Sequence, residues 1–190
     1  MFFFPISKKS RALYALARPL YAACITQSRQ PGFYTDLCVP DTFDGRFDLT
    51  SLHVGLIVSS LTRAGGERAK LAQALFDEMF VNLDQTCREM GVGDLSVPRH
   101  MKRMMKAFKG RTVSYIEAIQ SGGLPDVLAR NLYGTVERPP EAVLSAMAEY
   151  IVALDTSFKS QDLMTGTVSF LPVPTHSSHG VSDDPDSKAA

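Results

Sequence analysis

Several features that would place a chain in a specialised structural class are missing from this sequence. It has no tryptophan, and its three cysteines, Cys24, Cys38 and Cys87, form no C-x-x-C pair. An odd number of unclustered cysteines argues against a disulfide framework or a zinc knuckle and is typical of a reducing compartment. We expect Cys87, which falls on an apolar helical face, to act as a small buried hydrophobe.

An excess of charge of either sign and long apolar runs are also missing. With 20 basic and 20 acidic side chains the formal net charge is zero, so global charge predicts no nucleic-acid binding and no specific DNA target. No apolar run approaches the roughly 20 residues that span a bilayer. Residues 1–6 are apolar, but the basic residues Lys8, Lys9 and Arg11 follow them, the reverse of the order in a secretory signal. We therefore expect a protein kept on the cytoplasmic side.

What the sequence does contain is helical periodicity along most of its length. Hydrophobic residues make up 45% and charged residues 21% of the chain, as in ordinary globular proteins. We predict an all-α fold: a single helical-bundle domain over residues 1–160, of which 1–8 can be flexible, and an extended or disordered tail over 161–190. Segment 163–170 is expected to lie extended against the domain, and the composition after Pro172 is typical of disorder.

The boundaries of the predicted helices follow proline and glycine signals. The predicted ranges are 9–29, 49–63, 68–90, 98–120, 125–133 and 139–158, with a short turn at 33–37. Segment 39–48 is expected to be a structured loop, in which Asp44 and Gly45 form the turn and Asp48 caps the next helix. Helix 49–63 is apolar on nearly all sides, which predicts a position at the centre of the bundle.

Sequence patterns for catalysis are missing. There is no G-x-S-x-G, no Walker A lysine and no dinucleotide-binding fingerprint around Gly65 and Gly66. Asp41, Asp44 and Asp48 do not have the spacing of an EF-hand loop. We therefore predict that the chain is not an enzyme.

The four histidines do not form a metal-binding pattern either. His176 and His179 are close in sequence but lie in the predicted tail, where only weak metal binding is expected. His53 stands alone in an apolar helix and reads most simply as a hydrogen-bonded histidine. We predict no metal and no cofactor, with haem or metal ligation by His53 as the alternative.

Two local concentrations of positive charge occur within the neutral chain. In the first 35 residues there are five basic residues and no acid: Lys8, Lys9, Arg11, Arg18 and Arg29. Because apolar residues are interleaved with them, this stretch can lie on an anionic membrane surface. The alternative is an ordinary solvated helix face.

The second concentration, which we call the basic stripe, consists of Arg99, Lys102, Arg103 and Lys106. These residues have i, i+3, i+4, i+7 spacing, and no acid occurs between residues 95 and 115. The opposite stripe of methionines and Phe108 is expected to belong to the core. The basic stripe is suited to acidic headgroups, ribosomal RNA or an acidic partner, or is a solvated face.

One long segment resembles a known family. Residues 27–48 (QSRQPGFYTDLCVPDTFDGRFD), followed by Leu52 and His53, resemble the signature of the ubiquinol–cytochrome c chaperone family. Segments 71–80 (LAQALFDEMF), 88–95 (REMGVGDL) and 130–134 (RNLYG) are also similar to that family. The resemblance covers roughly residues 10–158 and rests on several separated motifs in order.

The resemblance implies a non-enzymatic assembly chaperone. Its expected client is a hydrophobic membrane protein, cytochrome b, during biogenesis of ubiquinol–cytochrome c reductase. Mitochondrial members act with a small partner protein close to the ribosome. Because this sequence has no long targeting segment, we expect a bacterial, cytoplasmic protein, peripheral at the inner membrane. A peripheral membrane scaffold that uses the N-terminal basic helix is the alternative.

The family-like segment also supplies candidate client-binding residues. They are Phe33, Tyr34, Asp41, Asp44, Arg46 and His53. We expect Phe33 and Tyr34 to border a groove where this segment meets the two strongly apolar helices. The alternative is that the aromatic and aspartate residues only lock a helical hairpin.

Overall fold

The computed structural model describes residues 8–137 and 139–174. Within these ranges the chain forms α-helices and one short 3-10 helix and no strand, so the predicted all-α fold is confirmed. The helices are α1 (Lys8–Ser28), α2 (Gly32–Thr35), α3 (Phe43–Ala64), α4 (Gly66–Glu89), α5 (Val97–Ser121), α6 (Leu124–Asn131) and α7 (Glu141–Ser160). The predictions for residues 1–7 and for the tail after Pro174, including His176 and His179, fall outside the described residues.

Helix α3 is the central element of the bundle. It packs against α1, α4, α5 and α7, and residues 51–57 are buried without interruption. A helix that is apolar around most of its circumference is stable only when neighbours cover every side. At Gly55 an added Cβ would lie 2.6 Å from the Thr112 hydroxyl oxygen, so α3 and α5 cross closely there. The predicted central position is therefore confirmed.

The N-terminal end of α3 differs from the prediction. The helix begins at Phe43, within the predicted loop 39–48, and its N-cap is Thr42, whose hydroxyl oxygen accepts a 3.1 Å hydrogen bond from the Gly45 N–H. Asp48 is not the cap but a buried residue inside the helix. Gly45 makes no positive-φ turn, because it is helical and lies under the Pro40 carbonyl. The Asp–Gly pair misled the sequence interpretation because it also suits a capped first helical turn.

Helix α1 lies along α4 and α3 and continues through Pro19 without ending. Two tyrosines tie it to α4: Tyr14 donates a 2.9 Å hydrogen bond to Asp77, and Tyr21 donates one of 3.2 Å to Asn82. Leu20 of the same helix is fully buried. The apolar face of α1 is therefore used inside the bundle.

The segment after α7 packs along the bundle. Leu163 is buried, and Phe170 contacts the rings of His53 and Phe158 edge-on, each at a centroid distance of 5.4 Å. The Leu171 carbonyl accepts a 3.0 Å hydrogen bond from the Gln27 side chain of α1. The packed part of the chain therefore extends past residue 160.

Candidate functional site

Phe33 lies in the core of the bundle and not at its surface. Its side chain is fully buried, and its ring meets His53 and Tyr150 edge-on, each at a centroid distance of 5.5 Å. The short helix α2 carries this ring on its buried side. Phe33 therefore does not border a groove, contrary to the prediction.

His53 is the centre of a buried polar network. Its Nδ1 lies 3.0 Å from the Leu49 carbonyl oxygen and 2.9 Å from the Ser28 hydroxyl, and its Nε2 lies 3.0 Å from the Tyr150 hydroxyl. Because a carbonyl oxygen only accepts, Nδ1 carries the proton and Nε2 accepts from Tyr150. Burial lowers the pKa of His53 to about 4, so the ring is neutral near pH 7.

This network bears on the alternative of haem or metal ligation by His53. Both ring nitrogens are already hydrogen-bonded, and the side chain is fully buried. A ligand would have to displace Tyr150 or Leu49 from the ring. Among the described residues there is also no group of three or more His, Cys, Asp or Glu side chains that could hold a metal ion. The geometry supports a structural role for His53.

Tyr34, Asp41 and Arg46 form one connected surface cluster. The Tyr34 hydroxyl donates a 2.6 Å hydrogen bond to the Ser28 carbonyl, and the Arg46 guanidinium lies 5.9 Å from the centre of the Tyr34 ring. Arg46 Nε donates a 2.5 Å hydrogen bond to Asp41, and this bond lowers the pKa of the Asp41 carboxyl group. Asp41 and Arg46 are both exposed, so the cluster is accessible from outside.

The Tyr34 cluster edges a small groove between α1, the start of α3 and α4, which we call the α1–α4 groove. Its volume is about 230 Å³. Aromatic and aliphatic side chains form much of its lining: Tyr21, Ile25, Tyr34, Phe43, Phe47, Met79 and Leu83. Arg29, Arg46, Asn82 and Thr86 add polar groups to the lining. The groove lies where the family-like segment meets two apolar helices, and of the two predicted bordering residues it contains only Tyr34.

A larger groove lies on the other side of the α3 N-terminus, and we call it the α3–α5 groove. Its volume is about 640 Å³, and it is lined by residues from 40–48, 100–111 and 130–135. Two of the family-like segments, 27–48 and 130–134, therefore meet here. Asp44 and Arg103 both line it, and Phe47 lines both grooves. The first turns of α3 thus form the ridge between two surface grooves.

An ion pair fixes one wall of the α3–α5 groove. Asp48 of α3 is buried and accepts a hydrogen bond from Arg111 of α5. The sequence interpretation missed this pair, since the partners are 63 positions apart and Asp48 was assigned to a helix cap. The sequence signal available was an acid directly before the strongly apolar stretch that begins at Leu49, since a buried carboxylate needs a cationic partner.

The basic stripe lies exposed along α5. Arg99, Lys102, Arg103 and Lys106 are all solvent-exposed, while Met101, Met104 and Phe108 of the same helix are buried, as predicted. Over residues 8–137 and 139–174, none of the four stripe residues forms an ion pair with an acid. Arg103 also lines the α3–α5 groove, so the stripe continues into that groove.

The basic residues of α1 are arranged differently. Arg11, Arg18 and Arg29 are exposed, and Arg18 lies 3.4 Å from Glu78 of α4. The apolar face of α1 is buried against α3 and α4, so it is not free to enter a bilayer in this conformation. No helix in the described part of the chain is both long enough and apolar enough to cross a membrane.

The fold and these sites first define a class: an all-helical single bundle whose family-like segments meet at surface grooves. Comparison with family models then gives the particular family. Residues 35–166, more than half of the chain, match the model described as ubiquinol-cytochrome C chaperone. The chain belongs to the ubiquinol–cytochrome c chaperone family.

Named relatives carry consistent descriptions. The chain is 25% identical over 174 residues to human ubiquinol-cytochrome c reductase complex assembly factor 1, which covers 89% of this chain and 58% of the human protein. It is 23% identical over 174 residues to the Xenopus laevis protein of that description, covering 89% of this chain and 87% of the relative. The chain thus spans about three fifths of the length of the human and mouse relatives.

A solved structure has the same fold. The crystal structure of the Cbp3 homolog from Brucella abortus superposes with a TM-score of 0.76 and is 30% identical in sequence. The match covers 87% of this chain and 94% of that one. It therefore spans most of the packed bundle.

Proposed function

We propose that this chain is a non-enzymatic assembly chaperone that holds cytochrome b during biogenesis of ubiquinol–cytochrome c reductase. Family membership and the names of the relatives, which are assembly factors of that complex, support a role in assembly and not in catalysis. The observation that carries the proposal further is the apolar α1–α4 groove, which is lined by Tyr34 of the family-like segment. Peripheral location at the inner membrane and a small partner protein belong to the same proposal.

The α1–α4 groove suits a few apolar side chains of a client segment. Burial of apolar area there contributes about 25 cal/mol per Å² before the ordering of the client is subtracted. With a volume of about 230 Å³ the groove holds a short stretch of side chains and not a whole helix. A contact of this size is reversible, which an assembly chaperone requires because it must release its client.

The polar edge of the α1–α4 groove would favour one orientation of a bound client segment. Arg46 is held in place by Asp41 and by the Tyr34 ring, so its guanidinium is positioned beside the apolar lining. A client segment that carries an acidic or carbonyl group next to apolar side chains would match both parts. Asp44 lies in the neighbouring α3–α5 groove and is not part of this contact.

The test fills the groove without touching the core. Thr86 lines the groove and is partly exposed, so Thr86→Trp places an indole in the cavity, and Val152→Trp on the exposed side of α7 is the matched control. Tagged wild-type chain and the Val152 variant should capture cytochrome b from native membranes under mild detergent. The Thr86 variant should lose that capture while keeping its melting temperature.

Two outcomes would contradict the proposal at different levels. Capture of cytochrome b by the Thr86 variant at the wild-type level would remove the α1–α4 groove from the client site. Normal amounts of mature reductase in cells that lack this chain would remove the assembly role itself. The reductase is measured by its haem b spectrum and by native gel electrophoresis.

A further inference from the structure

The basic stripe of α5 carries unneutralised positive charge on a protein whose net charge is zero. Arg99, Lys102, Arg103 and Lys106 are exposed on one face that is about 10 Å long, because each helical residue rises by 1.5 Å. No acidic residue occurs between 95 and 115 to compensate them. Elsewhere on the bundle several exposed cations lie within ion-pair distance of an acid: Arg18, Arg46, Arg68, Lys70 and Arg88. Among the described residues the exposed Arg11, Arg29 and Arg130 also form no ion pair, but they are far apart in the sequence.

A large exposed apolar side chain precedes the stripe in the chain. Leu95 is 98% exposed and lies two residues before the first residue of α5. Met90, in the same α4–α5 connection, is 59% exposed. Both values are far above those of the core leucines and methionines, and Leu95 has the highest exposure among the large hydrophobic residues of the described chain. An exposed leucine is ordinary by itself, but this one lies only four residues before the first cation of the stripe.

Acidic residues also lie near this connection. Arg88 Nε donates a 2.7 Å hydrogen bond to Asp84, and Arg88 Nη1 donates one of 2.5 Å to Asp94. Because one guanidinium faces two carboxylates, the charge of Asp94 is compensated only in part. Glu89 accepts a 2.9 Å hydrogen bond from the uncharged Gln85 on the α4 surface. The uncompensated positive charge therefore lies on α5 itself and not on the connection before it.

We propose that the α5 basic stripe and Leu95 together form a docking surface for an anionic lipid bilayer. In the docked state the four cations contact lipid phosphates, and the Leu95 side chain enters the boundary between headgroups and acyl chains. Peripheral proteins bind anionic membranes reversibly when surface cations attract the headgroups and a short apolar segment inserts between them. Because Arg103 belongs to the stripe and lines the α3–α5 groove, that groove would open beside the membrane surface.

A lipid surface fits these residues better than RNA or an acidic protein. Neither of those partners requires a fully exposed leucine beside the charges, whereas a bilayer offers it an apolar phase. The stripe is also a straight row of exposed cations along one face of a helix, which suits a flat partner. The surface is separate from the α1–α4 groove, so this proposal does not depend on which client the chain holds.

The first test measures binding to vesicles by co-sedimentation. Wild-type chain should bind vesicles of phosphatidylcholine and phosphatidylglycerol and should not bind phosphatidylcholine alone. Binding should weaken as salt is raised, because the Debye length falls from about 8 Å at physiological ionic strength to about 3 Å at 1 M.

Lys102→Glu with Arg103→Glu should lower the partition coefficient about 30-fold or more. Arg68→Glu with Lys70→Glu on α4, which changes the net charge equally, should leave it within about twofold.

The second test reports on Leu95 itself. Because the chain has no tryptophan, Leu95→Trp introduces a single tryptophan, whose emission is distinct from that of the tyrosines. Its emission should shift to shorter wavelength when mixed vesicles are added, as the indole leaves water. Val81→Trp, at an exposed position of α4, is the matched control and should show no shift.

The outcomes separate the proposal from its competitors. Equal vesicle binding by wild type and the Lys102/Arg103 variant would overturn it and would point to the α1 basic residues. Unchanged emission of Leu95→Trp would also overturn it as stated. Failure to bind mixed vesicles, together with salt-sensitive binding to ribosomal RNA or to an acidic peptide, would assign the stripe to that partner. Failure of the lipid tests would leave the cytochrome b capture experiment unaffected.

Discussion

The buried Asp48 carboxylate of α3 pairs with Arg111 of α5 across the wall of the α3–α5 groove. Both lie at the place where the family-like segment 27–48 meets the basic helix. The pair fixes the position of α5 relative to the ridge between the two grooves. It is therefore a link between core packing and the shape of the candidate functional surface.

Removing one partner of this pair should destabilise the bundle. Arg111→Met leaves Asp48 buried without a cation, so we expect the free energy of unfolding to fall by about 2–3 kcal/mol, below the upper range for fully buried pairs because Arg111 is partly exposed. Asp48→Asn combined with Arg111→Met should cost less than the sum of the single changes. Urea unfolding of all four proteins measures the coupling, and additive costs would mean that the pair contributes nothing specific.

Gly45 is required by close approach and not by backbone conformation. A Cβ at this position would lie 2.1 Å from the Pro40 carbonyl oxygen, so Gly45→Ala should force the chain before α3 to move. We expect a loss of at least about 2 kcal/mol in the free energy of unfolding. The control is Gly110→Ala in α5, where nothing lies within 4 Å and where helix propensity favours alanine by about 1 kcal/mol. Similar effects of the two changes in thermal unfolding would contradict this account.

Helical periodicity was sufficient to predict most of the fold. The apolar spacing in α3, α4 and α5 reports burial directly, because each of these helices is long and turns its apolar residues to its neighbours. The start of α3 was not predictable in the same way. A Thr-Phe-Asp-Gly segment suits both a turn and a capped helix, and the choice is made by packing of Gly45 under Pro40, a contact that no local pattern contains.

The candidate site was predictable only in part. The family-like segment indicated the region, and Tyr34, Asp41 and Arg46 are accessible there. Phe33 and His53 are residue types that also occur at exposed binding sites, so the sequence alone did not indicate that both are buried. Their burial depends on Tyr150 and Phe170, which are far away in the sequence. The two grooves are likewise formed between helices, so no single segment encodes them.

Phe33 and Tyr34 should behave differently although they are neighbours. Phe33→Ala removes a fully buried ring that packs against His53 and Tyr150, so the free energy of unfolding should fall by about 3–5 kcal/mol. Tyr34→Phe keeps the ring in the α1–α4 groove and loses one hydrogen bond to Ser28, which costs about 1 kcal/mol. Chemical unfolding distinguishes the two, and a mild effect at Phe33 would mean that its ring has another stable position.

The stability of the bundle should depend on pH through His53. In the folded chain the pKa of His53 is lowered to about 4 by burial, whereas its ordinary value is 6.5. Between these two pH values the unfolded chain binds a proton that the folded chain refuses, so acidification favours unfolding. The contribution of neutral His53 is complete above pH 6.5 and is lost as the pH falls towards 4. Its size is about 3 kcal/mol over that window.

The measurement compares wild type with His53→Gln, which cannot take up the proton. The groups around the ring, Ser28, Tyr150, Phe33 and Phe170, carry no charge in this range, so the difference between the two proteins isolates His53. The advantage of wild type in urea unfolding should be largest at pH 7 and shrink by about 3 kcal/mol at pH 4. In wild type the imidazole proton signals should titrate with a midpoint near 4. A constant difference between the two proteins from pH 7 to pH 4 would show that the folded chain accepts the proton as easily as the unfolded one, and the Tyr150–His53–Leu49 network would then not hold the ring neutral.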